Sequence, residues 1–325
     1  MIDFRDFIKN AEDSVRRHSN GNGTFRRCNS GNEGGDACGC ADAINILYTL
    51  NVLPKSYSGR AKYIKALQAL QNPETGMFTD EEYDSFYTTA YCTAALELLD
   101  SHPVYPLSEM LALKEPDKLV EFMENQPWSS EPLMASHRIA SLYSALTLTG
   151  CADSEWQKAY FSWLHNNTDG DTGLIRSGFI NYRKTPPFRY LSGTVRYMFG
   201  FEYRHLPMRY PARIIDTCIQ FYDRKVSPDF GKKCGFEEMD WVYCMNRSMR
   251  RTDYRYKDCK ARLKELESVY SDYILGLDFN TDSGLNDMHT LFGVLCTVAE
   301  LQSALPGTVL TDKPMRLILD RCPFI

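Results

Sequence analysis

Glu237, Glu238 and Asp240 stand close together in the segment CGFEEMDWVYCMNR, and Trp241, Tyr243 and Arg247 follow them. On a helix, positions 240, 243 and 247 share one face, so a carboxyl, a phenol and a guanidinium would point the same way. Glycoside chemistry needs two carboxyls, one as acid and one as base or nucleophile, about 5 to 9.5 Å apart. Asp240 and Asp287 form the leading pair, and Glu237 or Asp84 could replace either member. Trp128, Trp241 and Tyr87 offer apolar faces to sugar rings, with Tyr243 beside them. Arg138, Arg189 and Arg247 match planar oxyanions such as carboxylate or sulfate. His137 and His289 add imidazoles. A Tyr or His could instead take the α-proton of a uronate, as a lyase requires. Residue spacing does not separate hydrolysis from elimination.

These residues gather because the chain is built from repeated hairpins. Polar turns occur at Gly23-Thr24-Phe25, Gly76-Met77-Phe78, Pro127-Trp128, Gly173-Leu174-Ile175, Gly235-Phe236 and Gly284-Leu285. Their leading residues are 53, 51, 46, 62 and 49 positions apart, a period that points to stacked supersecondary units. AKYIKALQALQ before the second turn and DSFYTTAYCTAALELLD after it carry apolar residues at helical spacing. Ser136 is the expected N-cap of HRIASLYSALTLTG, and Gly150 its expected C-terminal stop. HTLFGVLCTVAELQSAL reads as a helix ended by Pro306-Gly307. The second helix of each pair is apolar and rich in small residues, which suits an inner position. KDCKARLKELESVYSDYIL reads as an outer helix. The expectation is an all-α chain, one domain over residues 1–325, in which six inner and six outer helices form an (α/α)6 toroid. The stretch from Thr172 to Pro187 is irregular and could hold a short hairpin or lid.

In such a toroid the turns leading into the inner helices form a funnel mouth. That selects Asp36, Cys38, Cys40 and Asp42 from the first hairpin, and Asp84, Tyr87 and Tyr91 from the second. Trp128, His137 and Arg138 come from the third, Arg189 and Tyr190 from the fourth. The acid cluster of α-helical segment 237–243 comes from the fifth, and Asp287 with His289 from the sixth. A single acid there is explained as a helix cap favoured by the dipole. Four cationic or imidazole side chains at the same ends are not, and their convergence with aromatics and acids is the profile of a polar-substrate site.

Composition sets the limits. The 325 residues are 43% apolar and 24% charged, with 37 basic against 42 acidic side chains. That supports a sizeable core, and a net charge of −5 lacks the basic footprint of broad nucleic-acid binding. No apolar run reaches the roughly 18 residues of a membrane span. The opening MIDFRDFIKNAEDSVRRHS is charged throughout, unlike a secretory signal. Eleven cysteines, several within apolar helices, read as reduced and structural, which implies the cytoplasm. The basic run from Arg247 to Lys264 reads as a solvated face, and Gly31-Asn32-Glu33-Gly34-Gly35 as a permissive turn.

LQALQNPETGMF, followed by an alanine-rich helix, resembles the repeats of the terpenoid-cyclase and protein-prenyltransferase superfamily, and TDGDTGLI and NTDSGLND are similar turns. The resemblance implies the α/α toroid, a fold also found in unrelated glycosidases and lyases. The cyclases' Asp-x-Asp-Asp acid is missing, and Asp169-Gly170-Asp171 reads as turn chemistry. Asp36-Ala37-Cys38 with His289 resembles the prenyltransferase zinc ligands, in reversed chain order. Three functions follow. The first is an enzyme acting on a polar, anionic carbohydrate by carboxylate acid/base chemistry, with no cofactor and a small-molecule or oligosaccharide substrate. The second is a relative of the cyclases and prenyltransferases acting on an isoprenoid diphosphate, with zinc or magnesium. The third is a non-catalytic binding scaffold.

Overall fold

A computed structural model describes residues 1–28, 35–228 and 233–325; Gly31-Asn32-Glu33-Gly34 of the glycine-rich turn lies outside them. The described residues are overwhelmingly helical. In chain order the helices are α1 (Arg5–Arg17), α2 (Ala37–Thr49), α3 (Tyr57–Gln68), α4 (Ser85–Leu98), α5 (Ser108–Leu111), α6 (Pro116–Glu124) and α7 (Pro132–Leu148). They continue with α8 (Ser154–Asn167), α9 (Pro187–Tyr203), α10 (Pro211–Asp223), α11 (Glu237–Met249), α12 (Tyr256–Leu275) and α13 (Met288–Ala304). Two short strands, β1 (Ile2–Asp3) and β2 (Val309–Leu310), pair in parallel and tie the two ends of the chain together.

Side-chain pattern decides which helices are enclosed. In α4 nearly every residue from Phe86 to Leu98 is buried, as its alanines and threonines allow on all sides. In α12 only Cys259, Leu263, Leu266, Glu267, Tyr270, Ser271 and Ile274 are buried, a stripe at 3.6-residue spacing on an otherwise charged helix. The enclosed helices pack in a closed order: α2 on α4, α4 on α7, α7 on α9, α9 on α11, α11 on α13, and α13 back on α2. Of the others, α1 packs on α2, α3 on α2 and α4, and α6 on α8. Likewise α10 packs on α11 and α12, and α12 on α11 and α13.

The helix starts carry the expected chemistry. Asp36, Ser56, Asp84, Asp153 and Asp287 cap their helices through side-chain oxygens. Proline opens α6, α7, α9 and α10, where its missing N–H costs nothing. Ser136 is not a cap: α7 begins earlier, at Pro132, which places Ser136 inside the helix and buried. Gly150 does end α7, at φ +70°.

Three turns share one construction. Gly23, Gly76 and Gly173 all have φ between +73° and +97°, and a Cβ at Gly76 would overlap the Pro106 carbonyl. Two residues further on, the backbone N–H of Phe25, Phe78 or Ile175 donates to Cys40 Sγ, Thr89 Oγ1 or Thr194 Oγ1. The turn is thus pinned to the helix that follows. Gly235 and Gly284 have no such left-handed backbone, so the motif is not shared by the last two repeats. Asp169 accepts from the Asp171 and Thr172 amides, as turn chemistry predicts. The irregular stretch after it is tied down: Tyr190 Oη bonds to Asn181 N and Phe179 O, and the Arg176 guanidinium lies over Trp128, Trp163 and Phe179.

Beyond β2 the chain turns back under α2. Arg316 N donates to Thr49 O at 2.9 Å, and Ile318, Leu319, Cys322, Phe324 and Ile325 are buried. No helix of the described residues is long and apolar enough to cross a membrane.

Candidate functional site

The enclosed helices bring a carboxyl, an imidazole and two phenols together. Asp42, on α2, is fully buried. His289 is the second residue of α13, and its Nδ1 lies 2.9 Å from Asp42 Oδ1. Tyr91 Oη donates to the same oxygen, while Asp42 Oδ2 has no hydrogen-bond partner. An acceptor holding Nδ1–H leaves His289 Nε2 with its lone pair. That nitrogen faces Tyr87 Oη at 3.4 Å. Tyr87 and Tyr91 meet because they are one helical turn apart on α4, with ring centroids 5.7 Å apart.

Aromatic rings close around this cluster. Tyr83 stacks on Tyr87 at 4.6 Å, Phe236 lies 4.8 Å from His289, and Phe324 meets Tyr87 edge-on at 5.3 Å. His137 on α7 lies 5.3 Å from Tyr87, and its Nε2 is buried without a partner. Burial pushes both phenols far above the usual tyrosine range, so Tyr87 and Tyr91 hold their protons. Burial, reinforced by Arg196 and His289, holds His137 well below the ordinary histidine value, as neutral imidazole.

The two leading acids are each engaged with an arginine. Asp240 is buried with Arg196 Nη1 at 3.0 Å; burial raises its carboxyl against the opposing pull of that guanidinium. Asp287 caps α13 by accepting from His289 N and Thr290 N. Burial works to raise its carboxyl, but Arg27 outweighs it with Nε at 3.0 Å and Nη2 at 2.8 Å and holds it below the usual value. Asp84 caps α4, accepting from Tyr87 N at 2.9 Å, and stands 3.9 Å from Arg138 Nε. Glu237 opens α11 and is partly buried.

Other expected site residues lie elsewhere. The Trp128 indole is buried against Trp163 and donates to Met123 O. Trp241 packs on Tyr222 and donates to Cys218 O. Both are wall residues with no open face for a sugar. Tyr243 lies against Phe199 and under the Arg247 guanidinium. Arg247 is itself buried among Glu202, Glu300 and Asp320, near the C-terminal ends of α9, α11 and α13. Asp240, Tyr243 and Arg247 do share a face, yet Arg247 belongs to the opposite end from His289. Arg189 is exposed and paired with Glu131 at 2.7 Å.

The zinc set is not assembled. Asp36 is spent capping α2 and accepting from Arg27 N. Cys38 is buried, and burial pushes its thiol far up. No group of three or more His, Cys, Asp or Glu among the described residues is arranged to hold a metal ion. Comparison with family models, curated proteins and solved structures finds no match to this chain.

Sequence reasoning grouped Asp42 and Tyr91 with the helix starts but assigned them no role, and it passed over Arg27, Arg196 and Phe324. The signal for Asp42 was present: an ionisable residue amid the apolar run ACGCADAINIL has to find a buried partner.

Proposed function

We propose that the closed order of six enclosed helices is an (α/α)6 toroid, a single domain over residues 1–325, and that it is an enzyme acting on an anionic carbohydrate. The favoured chemistry is elimination, with Asp42, His289 and Tyr87 as its acid/base relay. The observation that carries this is His289, which touches Asp42 through Nδ1 and Tyr87 through Nε2. In the reaction His289 Nε2 takes the proton α to a uronate carboxylate. The electron pair forms the new carbon–carbon double bond, and the glycosidic oxygen leaves with the Tyr87 proton. Transfer from His289 back to Tyr87 restores both groups, so no water is consumed. Asp42 positions His289 and stabilises its imidazolium, and Tyr91 in turn holds Asp42.

Two facts favour elimination over carboxylate-based hydrolysis. Asp240 and Asp287, the acids first suited to hydrolysis, are each tied to an arginine. Burial also keeps Tyr87 protonated, as a general acid must be. All eleven cysteines are free, which supports a reducing compartment such as the cytoplasm. A second reading, an isoprenoid diphosphate as substrate, draws support from the rings of Tyr87, Tyr91 and Phe236 around His289 and of Phe324 against Tyr87. The test is the ultraviolet absorbance of an unsaturated product on incubation with uronate oligosaccharides. Proton-transfer groups contribute about 10²- to 10⁴-fold, so His289→Ala and Tyr87→Phe should each lose at least about a hundredfold. Turnover of a prenyl diphosphate alone would favour the second reading.

A further inference from the structure

Arg138 is a guanidinium with no closely matched partner among the described residues. Among the described residues Arg27 and Arg189 are held by carboxylates at 2.7 to 2.8 Å. Arg138 has only Asp84 Oδ2, at 3.9 Å from its Nε, and that nitrogen is buried without a hydrogen bond. Its guanidinium is nonetheless fixed in place, 5.4 Å over the Phe86 ring and 5.5 Å over the Phe122 ring, within cation–π range. Those two rings are themselves stacked, with centroids 5.7 Å apart.

The side chain lines a broad, open surface cavity of about 450 Å³ formed by α6, the loops on either side of it and Arg138 itself. Lys118 adds a second cation to the lining, Glu121 an opposing anion, and Leu113 and Phe122 an apolar wall. Gln126 completes it. Its Nε2 donates to Phe122 O at 2.8 Å, but its buried Oε1 accepts from nothing. The cavity therefore presents an oriented guanidinium and an apolar face at once.

We propose that this cavity is a binding subsite for a sugar acid. The carboxylate pairs with Arg138, aided by Lys118, because the guanidinium fork matches a planar carboxylate. The C–H face of the sugar lies on Phe122 and Leu113. This rests on the proposed function and deepens it: Asp84, which accepts from Tyr87 N, stands 3.9 Å from Arg138 Nε, so the subsite would hold the anionic unit next to the one that reacts.

Calorimetric titration of the full chain tests this without any turnover. The ligands are glucuronate, an oligouronate, glucose and inorganic sulfate. Glucuronate and the oligouronate should bind saturably, and glucose should not. Arg138→Gln should weaken glucuronate at least about tenfold. Arg138→Lys should also weaken it, because an ammonium lacks the fork. Arg189→Gln, at an arginine paired with Glu131 and not part of this cavity, should leave glucuronate binding unchanged. Thermal melts confirm that each variant is folded. Equal affinity of wild type and Arg138→Gln, equal affinity for glucose, or displacement of glucuronate by stoichiometric sulfate would each overturn the assignment. Intact elimination with an unchanged KM in Arg138→Gln would overturn it while leaving the proposed function standing.

Discussion

His289 Nδ1 lies 2.9 Å from Asp42 Oδ1, across 247 residues of sequence, and so joins the last long helix to the second. The contact fixes which imidazole nitrogen carries the proton, and everything proposed for Tyr87 depends on that choice. Asp42→Asn keeps the shape but presents either an amide donor or a neutral acceptor to His289. The account predicts that this variant melts cooperatively and loses at least about a hundredfold in kcat, consistent with the size of acid/base effects. Tyr91→Phe removes one of two bonds to the same carboxylate and should cost about 1 to 3 kcal/mol of stability, measured by urea unfolding.

His137 makes a separate prediction about pH. Its folded-state pKa is held below the ordinary 6.5 by burial, with Arg196 and His289 adding to the effect. Below about pH 6.5 the unfolded chain takes up a proton there that the folded chain does not. The unfolded state then holds more protons, so stability falls as pH falls through that range. His137→Gln should remove that dependence. The stability difference between wild type and variant should change by up to about 1.4 kcal/mol per pH unit below 6.5, read from melts between pH 5 and 8.

Arg247 and Arg189 were candidates of equal standing in the sequence and have opposite consequences in the fold. Arg247 is buried, with Glu300 at 2.5 Å and Glu202 at 3.5 Å. Arg247→Met leaves the buried Glu300 without its cation, although Glu202 keeps Arg251, and should cost about 3 to 5 kcal/mol. Arg189→Ala breaks an exposed pair with Glu131 and should change stability by no more than about 1 kcal/mol. Chemical denaturation of the two variants side by side checks both values.

Gly76 marks where the repeat demands glycine. With φ at +73° and the Pro106 carbonyl where a Cβ would stand, Gly76→Ala should destabilise by more than the about 1 to 2 kcal/mol of the backbone conformation alone. Gly235 has open space around it and no positive φ. Gly235→Ala should be nearly neutral in the same thermal melts.

Much of the helical layout was legible because burial leaves a period in the sequence. The charged stripe of α12 and the alanine-rich α4 declared their outer and enclosed positions without any contact information. The turn glycines were legible too, although Gly235 turned out not to need glycine, and Gly284 needs it for the closeness of Cys234 rather than for its backbone. Ser136 misled because a good capping residue is also tolerated inside a helix, and Pro132 outranked it. Side-chain partners were far less legible. Asp240 and Asp287 look alike as acids near helix starts, and nothing local reveals that Arg196 or Arg27 reaches each. The cluster of Asp42, Tyr87 and His289 draws on three helices far apart in sequence, and Phe324 joined them only through the path of the final segment.

The most direct test of elimination is the fate of solvent oxygen. Wild-type protein would be incubated with a uronate oligosaccharide in water enriched in heavy oxygen, and the products weighed by mass spectrometry. The account predicts fragments whose masses sum to that of the substrate, with no solvent oxygen incorporated, and a loss of those fragments in His289→Ala. A heavy oxygen atom in one fragment would mean hydrolysis. That result, or undiminished product from His289→Ala, would contradict the role given to the Asp42–His289–Tyr87 relay.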